Sequence, residues 1–227
     1  IVLGAREGRF GSRGEKKSMQ PFAASSIPLV TLGTFLLWFG WFGFNGFSQL
    51  AMGTFDDVNA ISKIAVNTHL AGAAGTVTGA ALTRLIGGKT DIVMMLNGAL
   101  AGLVAITAEP LTPGPITAMI IGSIGAVIMY YGTKLLENFG LDDVVGAIPV
   151  HMFAGIFGTL VVPLTNADTS FGTQLTGVIS VCVFSFVLSW ITFSTLKSTV
   201  GLRISRAAEK QGTDKAEVGV IAYSIRD

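Results

Sequence analysis

The sequence predicts an all-α integral membrane protein with six membrane-spanning helices, and three observations lead to this class. Half of the 227 residues are hydrophobic and only 13% are charged, which is too apolar for a soluble domain of ordinary composition. Apolar stretches close to the roughly 20 residues that a helix needs to cross a bilayer recur six times. Glycine, with 29 residues, is far above its usual share of about 7%, as expected where helices pack closely in lipid.

The six predicted spans cover residues 28–50, 58–83, 91–109, 115–136, 144–164 and 172–199. Glycine, proline and aspartate separate them, for example at Gly87-Gly88 and around Pro110 and Pro113. The second span is the least apolar because it contains Lys63, Asn67 and His69. The chain therefore divides into a basic leader (residues 1–26), a transmembrane part (27–200) and a polar tail (201–227).

Basic residues predict the orientation of these spans in the membrane. All Lys and Arg residues except Lys63 lie in the leader, in residues 84–90 and 134–143, and in the tail with the adjoining end of the last span. The intervening segments 51–57, 110–114 and 164–171 contain none. Because short cytoplasmic loops carry the excess of positive charge, both ends of the chain are expected on the cytoplasmic side.

Ionisable and aromatic residues inside the spans are the candidate functional residues, because charged groups are costly in a bilayer. His151 lies in the fifth span. Among apolar side chains its imidazole is expected to be neutral and to offer one donor and one acceptor. That would suit a small uncharged polar molecule or a proton relay, and a structural histidine bonded to a neighbouring helix remains the alternative.

A run of glycine and aromatic residues in the first span is the most unusual local composition of the chain. Trp38, Trp41 and Phe44 fall near one helical face, where their rings could line a constriction, hold a cation or simply pack. His69 is expected to be a helix-packing residue. Asp142 and Asp143 precede the fifth span, where carboxylates stabilise the first turn of a helix.

Several stretches resemble the ammonium transporter (Amt/Rh/Mep) family in order along the chain. LLWFGWFGFN at residues 36–45 strongly resembles the family's sixth transmembrane helix, and the combination of stretches is more specific than any one of them. Asn67-Thr68 with Leu70-Ala71 is similar to the seventh, and NGALAGLVAIT at residues 97–107 to the eighth. Residues 141–143, His151 and residues 155–160 (GIFGTL) resemble the tenth, and residues 201–205 and 212–223 resemble the cytoplasmic tail.

This resemblance implies the C-terminal half of an eleven-helix fold built from two inverted halves, equivalent to helices 6 to 11 plus the tail. On that interpretation the chain is a fragment or split chain that begins after the fifth helix. His151 would be the second histidine of a pore-lining pair, and Trp41 and Phe44 would line the conduction path. Asn45, Asp142 and Asp143 would be supporting residues, with the two aspartates at the inner end of the tenth helix.

Four positions depart from the family's usual residues. Met152 stands where glycine usually follows the pore histidine, and Gly146 replaces a common aspartate. Phe47 stands where a small residue is expected, and Val218 replaces the usual histidine of the tail. Bulk at Met152 could narrow the pore, and the change at Val218 puts control by a PII-type signal protein in doubt. His69 is not a pore histidine of the family.

The function implied by the resemblance is transport of ammonium, which is recruited as the cation and conducted as ammonia through a hydrophobic, histidine-lined pore. The alternative is an ammonium sensor that signals through its cytoplasmic tail. A homotrimer in the plasma (bacterial inner) membrane is expected, with ammonium or ammonia as substrate, lipid around it and a PII-type partner at the tail. No enzymatic activity, cofactor, metal site or nucleic-acid partner is predicted.

Overall fold

The computed structural model describes residues 1–10 and 22–223. All secondary-structure elements in this part of the chain are helices. Four α-helices come first: α1 (Ile27–Phe47), α2 (Phe55–Gly87), α3 (Ile92–Thr107) and α4 (Pro115–Asn138). A composite helix follows, with a π-helical segment (Ile148–Phe153), α5 (Ala154–Val161) and a 3₁₀ turn (Val162–Leu164). Then come α6 (Phe171–Thr199), α7 (Arg206–Gln211) and a π-helical turn (Asp214–Val218).

Each predicted span coincides with one of these helices, and four boundaries differ by three or four residues. The second helix, α2, covers Phe55–Gly87 instead of residues 58–83. The first helix ends at Phe47 instead of residue 50, and the fifth starts at Ile148 instead of residue 144. Judged by length and composition, α1, α4 and α6 are long and apolar enough to cross a membrane. Ile92–Thr107 and Ile148–Leu164 are apolar but shorter, and α2 is long but carries Asp56, Asp57, Lys63 and Arg84. The predicted leader residues Arg13, Lys16 and Lys17, and Arg226 of the tail, lie outside the described residues.

Side chains just before the helices explain where several of them begin. Ser26 accepts a hydrogen bond from the Leu29 amide at the start of α1, and Asp91 accepts one from the Met94 amide at the start of α3. Thr54 and Asp57 form a reciprocal capping box at α2, which satisfies two amide groups that a helix start leaves unpaired. At the other end of α2, Gly88 adopts φ 76°, a left-handed conformation that favours glycine.

The larger of two compact units contains Ser26–Leu135 and Asp143–Ile179. Its central feature is the close packing of α2 on α3 along glycines, where a Cβ atom added to Gly98 would lie 2.6 Å from the Gly75 carbonyl oxygen. Small residues of this kind let helix backbones approach in a membrane. Around this contact, two clusters of buried apolar residues join α3 to α4 and α5, and they include Ala105, Ile106, Met129 and Ala154.

The smaller unit contains Ile1–Ser25, Leu136–Asp142 and Ser180–Asp227, and ion pairs connect its described segments. Both the Arg6 guanidinium and the Arg6 amide donate hydrogen bonds to the Asp142 carboxylate, at 2.8–2.9 Å. These bonds, with the charge of Arg9, hold the pKa of Asp142 below its ordinary value. Glu209 accepts hydrogen bonds from the Glu7 amide and from the Arg203 guanidinium, which lower its pKa.

Candidate functional site

A small cavity in the larger unit brings three of the predicted site residues together. It has a volume of about 310 Å³ and is open on one side. Trp41 and Phe44 reach it from successive turns of α1, and His151 reaches it from the π-helical segment. The remaining walls come from the end of α3 and from α5, namely Val104, Thr107, Ala108, Gly155 and Thr159.

The Trp41 indole is held by a hydrogen bond from its N–H group and by stacking of its ring. Its Nε1–H donates a 2.7 Å hydrogen bond to the hydroxyl of Thr107 on α3. Its ring lies nearly parallel to the His151 imidazole, with 6.5 Å between the ring centroids and 11° between the planes. Aromatic pairs with centroids 4.5–7 Å apart attract one another, so this offset stack helps to hold both rings.

Phe44 lines two cavities at once. Its ring centroid lies 5.8 Å from that of Trp41, tilted by 53°. Besides the cavity at His151, Phe44 borders a second and more open cavity of about 500 Å³, which α1 and the residues after it line with Gly40, Gly43, Phe47, Ser48 and Leu50. Because the ring is shared, movement of Phe44 would change the space available in both cavities.

The fifth helix presents His151 from an unusual backbone. Ile148–Phe153 is a π-helical segment with Pro149 near its start, and π-helical turns are frequent at functional sites. His151 is exposed within this chain. Met152, where the sequence suggested a narrowed pore, is 43% exposed and is not one of the residues that line the cavity.

The departure at Gly146 has a local structural reason. Gly146 has φ +75°, and a Cβ atom there would lie 2.7 Å from the Asn97 side-chain nitrogen. That nitrogen donates a 3.0 Å hydrogen bond to the Val145 carbonyl. Aspartate at position 146 would therefore be strained in this backbone and would displace Asn97.

The three predicted supporting residues lie away from the walls of this cavity. Asn45 is buried between α1 and α2, where its amide donates a 2.9 Å hydrogen bond to the Thr68 hydroxyl. Asp143 accepts hydrogen bonds from the amides of Ala147 and Ile148, where the fifth helix starts. Asp142 belongs to the smaller unit and binds Arg6 there.

His69 does not line the cavity either. Its imidazole packs between two aromatic side chains of α1, with ring centroids 5.5 Å from Trp38 and 6.3 Å from Phe42. A helix-packing role therefore describes its surroundings better than a place in the cavity wall.

Sequence reasoning did not single out the walls contributed by α3 and α5. Thr107 and Val104 lie in the stretch that resembles the family's eighth helix, and Thr159 lies in the stretch that resembles the tenth. Their position next to Trp41 depends on how α1, α3 and α5 pack. No pattern in the sequence pairs Thr107 with Trp41, because their contact depends on this packing.

The chemistry of this cavity is that of a mostly apolar passage with a few uncharged polar groups. Among the described residues, no carboxylate, Lys or Arg lines it, and its polar side chains are His151, Thr107, Thr159 and Trp41, whose indole N–H is already bonded to Thr107. Within residues 1–10 and 22–223, no group of three or more His, Cys, Asp and Glu side chains is arranged to hold a metal ion. Such walls can hydrogen-bond a small neutral molecule but cannot balance a dehydrated ion with an opposite charge.

Fold and site together define a helical membrane protein in which α1, α3 and the fifth helix line a small cavity with aromatic rings and a histidine. Residues 1–223 match the model of the Ammonium Transporter Family, and the chain belongs to this family. It is 39% identical to the ammonium transporter Amt2 of Archaeoglobus fulgidus, over 98% of this chain and 50% of that protein. It is 37% identical to the putative ammonium transporter sll0537 of Synechocystis, over 96% of this chain and 40% of that protein.

Solved structures agree with this assignment. A protein described as Sensor Amt Protein superposes with a TM-score of 0.87 and 33% sequence identity, covering 96% of this chain and 55% of that one. Mep2 of Candida albicans superposes with a TM-score of 0.76 and 26% identity, covering 89% of this chain and 48% of that one. The predicted family and the all-α membrane fold are confirmed, and the chain spans about half the length of the relatives that it matches.

Proposed function

We propose that this protein transports ammonium across the membrane and conducts it past His151 as ammonia. The observation that carries the proposal is the convergence of Trp41, Phe44 and His151 on one small cavity whose described lining contains no carboxylate. Membership of the Ammonium Transporter Family supports the substrate. The relatives are described as transporters, which supports a role in transport instead of catalysis.

The physical argument concerns the charge of the substrate. Moving an unpaired cation from water into an apolar passage is far more costly than moving a neutral molecule that can still form a hydrogen bond. Ammonium would therefore be recruited at the outer mouth, lose its proton, and pass as ammonia along the imidazole of His151. The rings of Trp41 and Phe44 would exclude water and other ions. The released proton would cross separately and rejoin ammonia on the inner side, so that one positive charge moves with each ammonia molecule.

The complete pore would need more protein than this chain provides. The relatives are about twice as long as this chain. The side chain of His151 is exposed in this chain, and Phe44 is 64% exposed. We propose that the chain forms the second inverted half of an eleven-helix protein, with His151 as one of two pore histidines. The absence of buried residues in α6 supports contact of this helix with lipid, the other half or further copies in a homotrimer.

The direct test of the site replaces His151 by Ala in the full-length protein and compares ammonium-evoked current and uptake with the wild type. We expect a loss of current or a loss of discrimination against potassium, because the hydrogen-bonding group in the passage is removed. His69→Ala is the matched control, since it removes a histidine that packs on aromatic rings outside the cavity. Unchanged current and discrimination in the His151 variant would refute the assigned role.

A sensor is the second candidate, and two observations favour considering it. The solved structure with a TM-score of 0.87 is described as a sensor. In addition, the described residues 1–10 and the tail are joined by the ion pair of Glu7 with Arg206 and by the hydrogen bond that the Glu7 amide donates to Glu209. A sensor would use the pore to bias the tail and its partner, with a PII-type protein as the expected class. It would show ammonium-dependent cross-linking of the tail with negligible uptake, whereas rapid uptake would favour the transporter.

A further inference from the structure

Thr107 connects the main chain of α3 to the aromatic wall of the cavity. Its hydroxyl donates a 2.7 Å hydrogen bond to the Leu103 carbonyl one turn earlier, and it accepts a 2.7 Å hydrogen bond from the Trp41 indole. The two bonds form a short chain from the α3 backbone to a side chain of α1. Thr107 and Trp41 are 66 residues apart in sequence, so this chain is a tertiary feature.

The hydroxyl group is almost fully used by these two bonds. A threonine hydroxyl has one proton to donate and two lone pairs to accept with. The proton points to the Leu103 carbonyl, and one lone pair receives the indole proton. Thr107 lines the cavity, but it has no proton left to offer a molecule inside it.

The Trp41 indole can rotate about its outer side-chain torsion unless a contact restricts it. The outer torsion of a tryptophan side chain has broad minima, so packing alone defines its ring plane only loosely. The bond to Thr107 selects the orientation in which the indole lies 11° from the plane of His151 and 53° from that of Phe44. Rotation of the ring would change both of these contacts and the width of the cavity together.

We infer that Thr107 is a positioning residue: its hydroxyl holds the Trp41 indole parallel to the His151 imidazole and thereby sets the shape of the cavity. The orientation is a property of the fold. Its effect on transport rests on the function proposed above.

The test compares Thr107→Val with Thr107→Ser in the full-length protein reconstituted in liposomes. Valine keeps the branched shape and removes the hydroxyl, whereas serine keeps the hydroxyl. The signal of Trp41 is isolated as the difference between each protein and the same protein carrying Trp41→Phe, recorded by fluorescence and by ultraviolet resonance Raman spectroscopy of the indole N–H. Thr159→Val serves as the spectroscopic control, because it alters a threonine of the same cavity on α5.

We expect the Trp41 signal in Thr107→Val to be that of an indole without a hydrogen bond, and the signals of Thr107→Ser and Thr159→Val to match the wild type. The maximal ammonium current should fall about three- to tenfold in Thr107→Val, the range that loss of one hydrogen bond corresponds to. The ratio of methylammonium to ammonium transport should change as well. In Thr107→Ser, the maximal current and the transport ratio should both stay within about twofold of the wild type.

Three results would overturn the inference. An unchanged Trp41 signal in Thr107→Val would show that the hydroxyl does not orient the ring. A changed apparent affinity with an unchanged Trp41 signal would make Thr107 a substrate contact instead. A changed Trp41 signal in Thr107→Val, with current and selectivity equal to the wild type, would show that the orientation of Trp41 does not affect transport. If the wild-type protein carries no ammonium current, the proposed function fails, while the spectra still decide whether Thr107 orients Trp41.

Discussion

At the scale of single residues, two adjacent carboxylates show how strongly tertiary contacts decide a role. Asp142 and Asp143 are neighbours in sequence, and both precede the fifth helix. Asp143 accepts hydrogen bonds from two amides where that helix starts, as a carboxylate near a helix N-terminus is expected to do. Asp142 instead binds Arg6, 136 residues away, and its side chain is 3% exposed. Local sequence alone gives the two residues the same role.

Replacing Asp142 by Asn should destabilise the protein, because three hydrogen bonds from Arg6 would lose their charged acceptor. We expect a loss of about 1–2 kcal/mol at neutral pH, because hydrogen bonds to a charged group are strong but the Arg6 side chain is 34% exposed and solvent screens its charge. The thermal unfolding midpoint of the full-length protein in detergent measures this loss of stability. Asp56→Asn, which alters an exposed carboxylate in the first turn of α2, is the control and should change the midpoint little.

The pH dependence of this difference follows from the lowered pKa of Asp142. A carboxylate whose pKa is lower in the folded than in the unfolded protein stabilises the fold above the unfolded value of about 3.9. That contribution is lost as the pH falls through the lowered pKa. Wild type and Asp142→Asn should therefore differ at pH 7 and converge below about pH 4. A constant difference across this window would contradict the ion pair with Arg6.

The candidate site was predictable in part at this scale. Trp41, Phe44 and His151 were selected from the aromatic run, from the histidine in a span and from the family resemblance, and all three line the cavity. Thr107 was not selected, because its importance comes from the 2.7 Å contact with Trp41 across two helices. A side chain's partner on another helix is not visible in the spacing of either helix alone.

At the scale of the helices, close packing of α2 on α3 depends on glycine. Substitution of Gly98 by Ala should destabilise the helical bundle, because the new methyl group would lie 2.6 Å from the Gly75 carbonyl oxygen and the backbones would have to separate. We expect a loss of about 1–3 kcal/mol, seen as a lower unfolding midpoint in detergent. In Gly177→Ala the methyl group meets no atom within 4 Å, so this variant should match or exceed the stability of the wild type. Equal midpoints for both variants would contradict the proposed close packing.

The helices themselves follow from the sequence because apolar length is the dominant constraint in a bilayer. All six predicted spans coincide with helices, including α2 with its charged residues. The late start of the fifth helix and its π-helical segment were not predicted. Their causes are local: Gly146 adopts φ +75° beside Asn97, and Pro149 lies near the start of the segment, buried next to Gly132.

At the scale of the whole molecule, the distribution of basic residues predicts a cytoplasmic tail and an outer loop before α2. Cysteines placed at Lys210 and Met52, which are both exposed, test this orientation in full-length protein whose other cysteines have been replaced. In intact cells, a membrane-impermeant thiol reagent should label the cysteine at position 52 and spare the one at position 210. Permeabilised cells provide the control, because both positions should then react. The reverse pattern in intact cells would invert the assigned orientation.

The most direct test of ammonium transport is the current that the full-length wild-type protein generates in proteoliposomes on a solid-supported membrane after a pulse of ammonium. The proposed function predicts a saturable current with ammonium, little current with an equal pulse of potassium, and in His151→Ala either a reduced ammonium current or a loss of discrimination against potassium. Protein-free liposomes set the background. Absence of an ammonium current above that background, in protein shown to be folded and inserted, would contradict transport as the function of this protein.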